Sequence, residues 1–172
     1  MNALYELAKK VFYLTAPFLL VVFLELVGAL PIHMPAFSSV APPLALIPVY
    51  YWAVHAPWRF GMFQAFFSGL LLDILFMLPL GINALIFTLL YYFLNRLRRF
   101  IAGKPFYVSW LGFALFGTVA LMAEWFLVSL SSRQFIGFAG VLISDVFMIV
   151  VYPLIALLCY GLIRLSPEED YE

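Results

Sequence analysis

Apolar residues run along this chain in long blocks, separated by short polar or proline-containing breaks. A helix that crosses a bilayer needs about 20 mostly apolar residues, each adding about 1.5 Å of rise. Blocks at 11–30, 36–56, 60–78, 82–94, 108–130 and 137–163 predict six such helices. The second is irregular, and Pro42, Pro43 and Pro48 are expected to break it. The fourth is short unless it tilts or extends, and the sixth is expected to kink near Pro153. Blocks three and four are joined only by Pro79-Leu80-Gly81, which predicts a tight helical hairpin. The pattern describes an all-α integral membrane protein with one domain, 1–165, and a polar acidic tail, 166–172.

Composition removes the soluble alternative. Hydrophobic residues make up 66% of the chain, charged residues 10%, and the mean hydropathy is +1.08. A soluble domain is roughly half apolar and about a quarter charged. A core built from 172 residues cannot hide this surplus, so much of it must face lipid. The first block follows Lys9 and Lys10 in the manner of a signal peptide. It is long and lacks a small-x-small cleavage site, so it is expected to stay as a span. Cys159 is the single cysteine, which rules out an internal disulfide and suits an inert apolar filler.

The formal charge sums to zero, but its placement is uneven. With the N-terminus inside, Lys9, Lys10, Arg59, Arg96, Arg98, Arg99, Lys104 and Arg164 fall on the cytoplasmic side, and Arg133 alone falls outside. This split follows the positive-inside rule and places both termini in the cytoplasm. Trp52, Trp58, Trp110 and Trp125 lie near span ends, where an indole reaches the interface. The cluster Arg96, Arg98, Arg99 and Lys104 directly follows the fourth span. It acts as a topology signal, with anionic lipid or a cytoplasmic protein as a candidate companion.

Four carboxylates fall inside spans: Glu25, Asp73, Glu124 and Asp145. An ionisable group in hydrocarbon costs about 2.5–3.5 kcal/mol on insertion scales, so each needs a partner or a purpose. Counted from the span ends, all four lie roughly 7–12 Å below the outer boundary. Such a layer suits either a polar cavity open to the outside or a docking groove. Small residues share their helix faces: Gly117 and Ala120 with Glu124, Ala65 and Gly69 with Asp73, Gly137 and Val141 with Asp145. The acids are therefore expected to face neighbouring helices. On a structural role each acid is protonated or bonds Asn83, Ser68, Ser129, Ser144 or a backbone group freed near a proline; that role is weighed beside docking, a ligand cavity and a proton path.

Catalytic constellations do not assemble. The chain has no Gly-rich phosphate loop, no cysteine pair and no His-Glu-x-x-His. Ser68 would need a histidine base at its own depth, but His33 falls in an outer loop and His55 at the cytoplasmic end of a span. The same separation argues against a shared metal. No enzyme activity, cofactor or metal is expected.

The stretch Gly69-Leu70-Leu71-Leu72-Asp73, then Pro79-Leu80-Gly81 and Asn83-Ala84-Leu85, resembles the rod shape-determining protein MreD family. The short length, six-span layout and basic cluster after the fourth span agree with it. The family pattern marks Gly69, Asp73, Pro79, Leu80 and Gly81 and assigns nothing to Glu25, Glu124 or Asp145. Members often carry Gly or Ser before Pro-Leu-Gly, where this chain has Phe76-Met77-Leu78, a bulkier tip. The resemblance implies a fold similar to the substrate-binding subunits of energy-coupling-factor vitamin transporters. It also implies a non-enzymatic scaffold in the bacterial inner membrane, acting in lateral peptidoglycan synthesis. Its implied partners are MreC first, then MreB, RodA-type glycosyltransferases and class B penicillin-binding transpeptidases. On this reading Glu25, Asp73, Asn83, Glu124 and Asp145 supply docking specificity. The alternative is the substrate-binding subunit of a vitamin-type transporter.

Overall fold

In the computed structural model, residues 2–29, 42–132 and 137–164 are described, with side chains from Thr15 onward apart from that of Ser132. His33, Arg133 and the tail 166–172 lie outside these residues, and so do the side chains of Lys9 and Lys10. Six helices make up the described chain: α1 (Asn2–Ala29), α2 (Leu46–His55), α3 (Met62–Leu75), α4 (Ile82–Ile101), α5 (Phe106–Ser132) and α6 (Phe138–Arg164).

Three helices depart from the predicted blocks by more than three residues. α1 begins at Asn2, nine residues before the block at 11–30. Of the block at 36–56, the described residues from Pro42 on form only α2, ten residues and about 15 Å of helix. Pro42 and Pro43 precede it, and the Leu46 N–H bonds the Pro43 carbonyl at 2.9 Å. Pro48 does not break it. It sits in the first turn, where backbone N–H groups have no intrahelical acceptor to lose. The fourth helix does not stop at 94 but continues to Ile101, with Arg98 and Arg99 in its last turn. Arginine is a good helix former, and cations there oppose the partial negative charge of the helix end.

α2 is apolar on every side, and Leu46 through Val54 are all buried. It is enclosed by α1, α4, α5 and α6. Trp52, expected at the interface, is fully enclosed with it. At its middle, Tyr50 with Ser109 and Tyr152 ties three helices together. The Tyr50 hydroxyl donates to the Ser109 carbonyl at 3.0 Å, and the Ser109 and Tyr152 hydroxyls are 2.8 Å apart. Phe113 stacks on Tyr152 with centroids 4.6 Å apart and meets Tyr50 edge-on at 5.4 Å.

The most extensive helix contact is α3 against α4. Gly69 permits it, because a Cβ there would lie 2.5 Å from the Ala84 nitrogen and would also strike the Asn83 backbone. The other small residues behave differently. A Cβ on Gly117 would meet only the Phe113 ring of its own helix, and one on Gly137 would meet nothing within 4 Å.

Outward faces are apolar. Leu111, Leu115 and Val119 on α5, and Val146, Val150, Leu154 and Leu157 on α6, are each more than half exposed. Soluble monomers rarely expose apolar stripes of this extent. Phe106–Ser131 and Phe138–Arg164 are both long and apolar enough to cross a membrane.

α6 continues through Pro153, which lacks the N–H that would bond the Ile149 carbonyl. Trp110 supplies the missing donor from α5, its indole Nε1 reaching the Ile149 oxygen at 2.9 Å. Trp110→Phe should therefore cost about 1–2 kcal/mol in unfolding from mild detergent. In a Pro153→Ala background the restored N–H takes over the carbonyl, and the same substitution should cost measurably less. Equal costs in both backgrounds would reduce Trp110 to a space-filler.

Candidate functional site

The α3–α4 turn is built around Asp73. α3 ends with the Leu78 N–H bonding the Asp73 carbonyl at 2.9 Å and the Met77 N–H bonding the Ile74 carbonyl at 3.3 Å. This is the Schellman pattern, which calls for a left-handed residue after the cap. Met77 occupies that place with φ 52°, where glycine is the usual choice, and its side chain is 94% exposed. The chain then turns through Pro79 and Leu80 to Gly81, at φ 101°, and α4 begins.

Gly81 has no side chain with which to cap α4. The Asp73 carboxylate, arriving from α3, performs that service. One oxygen accepts the Gly81 N–H at 2.8 Å, and the other accepts the Asn83 N–H at 3.0 Å and Asn83 Nδ2 at 3.1 Å. A carboxylate at a helix N-terminus also meets the positive end of the helix dipole. The second Nδ2 proton of Asn83 goes to Glu124 Oε1 on α5 at 3.1 Å. Asp73 and Asn83 are buried, while Glu124 is half-buried and carries the network to the surface.

The other two acids stand apart from this network. Both oxygens of Asp145 face the Thr118 hydroxyl, at 2.9 and 3.1 Å, and that hydroxyl also lies 2.7 Å from the Ala114 carbonyl. Thr118 is six residues, about 9 Å, along α5 from Glu124. Glu25 is 1% exposed on α1, and neither of its oxygens has a hydrogen-bond partner among the described residues. The four acids thus occupy three environments rather than one layer.

Of the hydrogen-bond partners expected from sequence, Asn83 bonds two of the acids. Ser68 spends its hydroxyl on the Gln64 carbonyl of its own helix, and Ser129 Oγ has no partner among the described residues. Thr118 lies outside that set, although a hydroxyl in mid-helix is visible in the sequence. The Gly81 N–H is a backbone group near a proline, as expected in kind, but nothing in the sequence singles out that amide. Chemically, the Asp73 carboxylate accepts three hydrogen bonds, at least one on each oxygen, which suits a fastening better than a base. No group of three His, Cys, Asp or Glu residues able to hold a metal occurs among the described residues.

The chain matches the family model described as rod shape-determining protein MreD over residues 8–161. The chain belongs to the MreD family. No curated relative and no solved structure matches it. Membership brings a role in cell shape within the rod complex and association with the membrane; the family is structural and not known for catalysis. Four of the residues marked by the MreD resemblance have physical jobs here: Gly69 lets α4 approach, Asp73 caps it, Gly81 supplies the left-handed start, and Pro79 lies in the turn between. Leu80 is exposed beside Met77 at the tip.

Two outcomes follow from this geometry. Asp73→Ala should lower stability by about 2–4 kcal/mol, with Asp73→Asn intermediate, and should speed amide hydrogen exchange at Gly81 and Asn83 first. Unchanged exchange at those amides would count against the cap. Met77→Gly should instead raise stability by about 0.5–1 kcal/mol, read as a higher unfolding midpoint, because glycine adopts a positive φ without the Cβ penalty.

Proposed function

We propose that the chain is a non-enzymatic scaffold of the bacterial elongation complex, held in the inner membrane by six helices with both termini cytoplasmic. Its direct partner is MreC. RodA-type glycosyltransferases, class B penicillin-binding transpeptidases and MreB complete the assembly that synthesises lateral peptidoglycan. Residues 1–165 form the membrane domain and 166–172 an acidic cytoplasmic tail. The observation carrying this reading is the MreD family match, which runs from α1 to within the last turn of α6.

The polar side chains fit a scaffold better than a catalyst. Ser68 is committed to a backbone carbonyl, His55 lies 3.2 Å from the Tyr51 carbonyl, and Asp73 is committed to α4. In this mechanism Asp73 and Asn83 set the positions of α3, α4 and α5, and the half-buried Glu124 offers a carboxyl oxygen to a donor on the transmembrane helix of MreC. A partner lacking that donor leaves the acid unpaired and binds less well.

Glu124→Ala, expressed in place of the native chain, should reduce co-purification of MreC several-fold in mild detergent and give rounded cells. Its loss of stability should be smaller than that of Asp73→Ala. Undiminished MreC and normal rods would remove Glu124 from the interface. A vitamin-sized ligand recovered with the tagged protein in place of MreC would favour the transporter-subunit alternative.

A further inference from the structure

Charge is segregated along the bundle. The described carboxylates Asp73 and Glu124 gather with Asn83 near the α3–α4 turn, and Gly28, one turn beyond Glu25, lies close to the Phe76 ring. At the opposite end, Arg96, Arg98, Arg99 and Lys104 close α4 and its loop to α5, and none has a carboxylate partner among the described residues. α4 overhangs its neighbours there: Asn95, Arg96, Leu97, Arg99 and Phe100 are all exposed.

Two of these cations, and Arg164 of α6, lie on aromatic rings. The Arg96 guanidinium stands 5.4 Å from the centre of the Tyr92 ring, with Nη2 3.4 Å from its hydroxyl. Arg99 stands 5.3 Å from the Phe100 ring, and Arg164, at the end of α6, 5.3 Å from that of Tyr160. Positions 92, 96, 99 and 100 share one helix face, so Tyr92 and Phe100 flank the two arginines along an exposed stripe. Gly103, at φ 76°, ends α4, and the exposed Lys104, Phe106 and Tyr107 continue the pattern into α5.

We propose that this corner of α4 and the α4–α5 loop binds the headgroups of anionic phospholipids in the cytoplasmic leaflet. A phospholipid offers both halves of what the stripe displays: a phosphate for the guanidinium and ammonium groups, and an acyl boundary for Phe100, Phe106 and Tyr107. An acidic peptide, the tail 166–172 included, would meet the charges and leave those rings in water. The proposal rests on the membrane orientation given above and not on MreC.

The test uses the full chain in bilayer nanodiscs, with native mass spectrometry to count lipids retained after gentle release. Phosphatidylglycerol should be retained in preference to phosphatidylcholine. The triple variant Arg96→Gln, Arg99→Gln, Lys104→Gln should lose about fivefold of that preference for each cation neutralised. Its unfolding midpoint in pure phosphatidylcholine should fall only slightly, by the small helix-end and ring contacts of exposed side chains, and the variant should still fold. Equal retention of the two lipids by the parent, or an unchanged preference in the triple variant, would overturn the proposal. A second variant neutralises Glu168, Glu169, Asp170 and Glu172. If lipid preference emerges only there, the tail and not lipid occupies the corner, and the proposal fails. Loss of lipid preference with MreC still co-purifying would separate this site from the scaffold reading.

Discussion

The Asp73 carboxylate at the start of α4 is the contact on which the upper part of the bundle depends. In lipid, an apolar side chain gains little by leaving hydrocarbon for a protein interior, so burial alone does not choose one helix arrangement over another. Close backbone approach and satisfied polar groups must choose it. Asp73 brings both to one place. Its carbonyl closes α3 and its carboxylate opens α4, while Gly69, one turn below, leaves out a Cβ that would strike the α4 backbone. Asn83 then passes the constraint to α5 through Glu124.

A second polar fastening holds the centre. Tyr50, Ser109 and Tyr152 join α2, α5 and α6 with hydroxyl groups that are spent on one another and on backbone. Trp110 repairs the carbonyl freed by Pro153. These groups are uncharged, and each is paired. Two of the acids differ in this respect: Glu124 retains surface, and Glu25 has no partner among the described residues.

Hydropathy alone located α5 and α6 well, and α1 less so, since that helix starts nine residues before its apolar block. The blocks at 108–130 and 137–163 fall within two residues of α5 and α6 at each end. It failed where burial, not lipid, supplied the apolar environment, since α2 is apolar because it is enclosed and is too short to cross a bilayer unaided. The isolation of Asp73 in an apolar run was visible, and so was the Pro79-Leu80-Gly81 turn. What Asp73 binds was not, because two of its three donors are backbone amides and every residue but proline carries one. Small-residue spacing was equally ambiguous: Gly69 and Gly117 look alike in sequence, and only Gly69 faces another helix at close range.

The complete enclosure of α2 bears on the order in which the chain can be assembled. Its walls are α1, which is made before it, and α4, α5 and α6, which are made after it. About 15 Å of helix has neither the length to rest across a bilayer nor a polar face to rest on its surface. While the chain grows from its N-terminus, α2 therefore has no finished environment until residues through Cys159 and its neighbours on α6 have arrived. The early part of this protein has to wait for the late part, and a truncation within α5 or α6 exposes a helix far upstream of the cut.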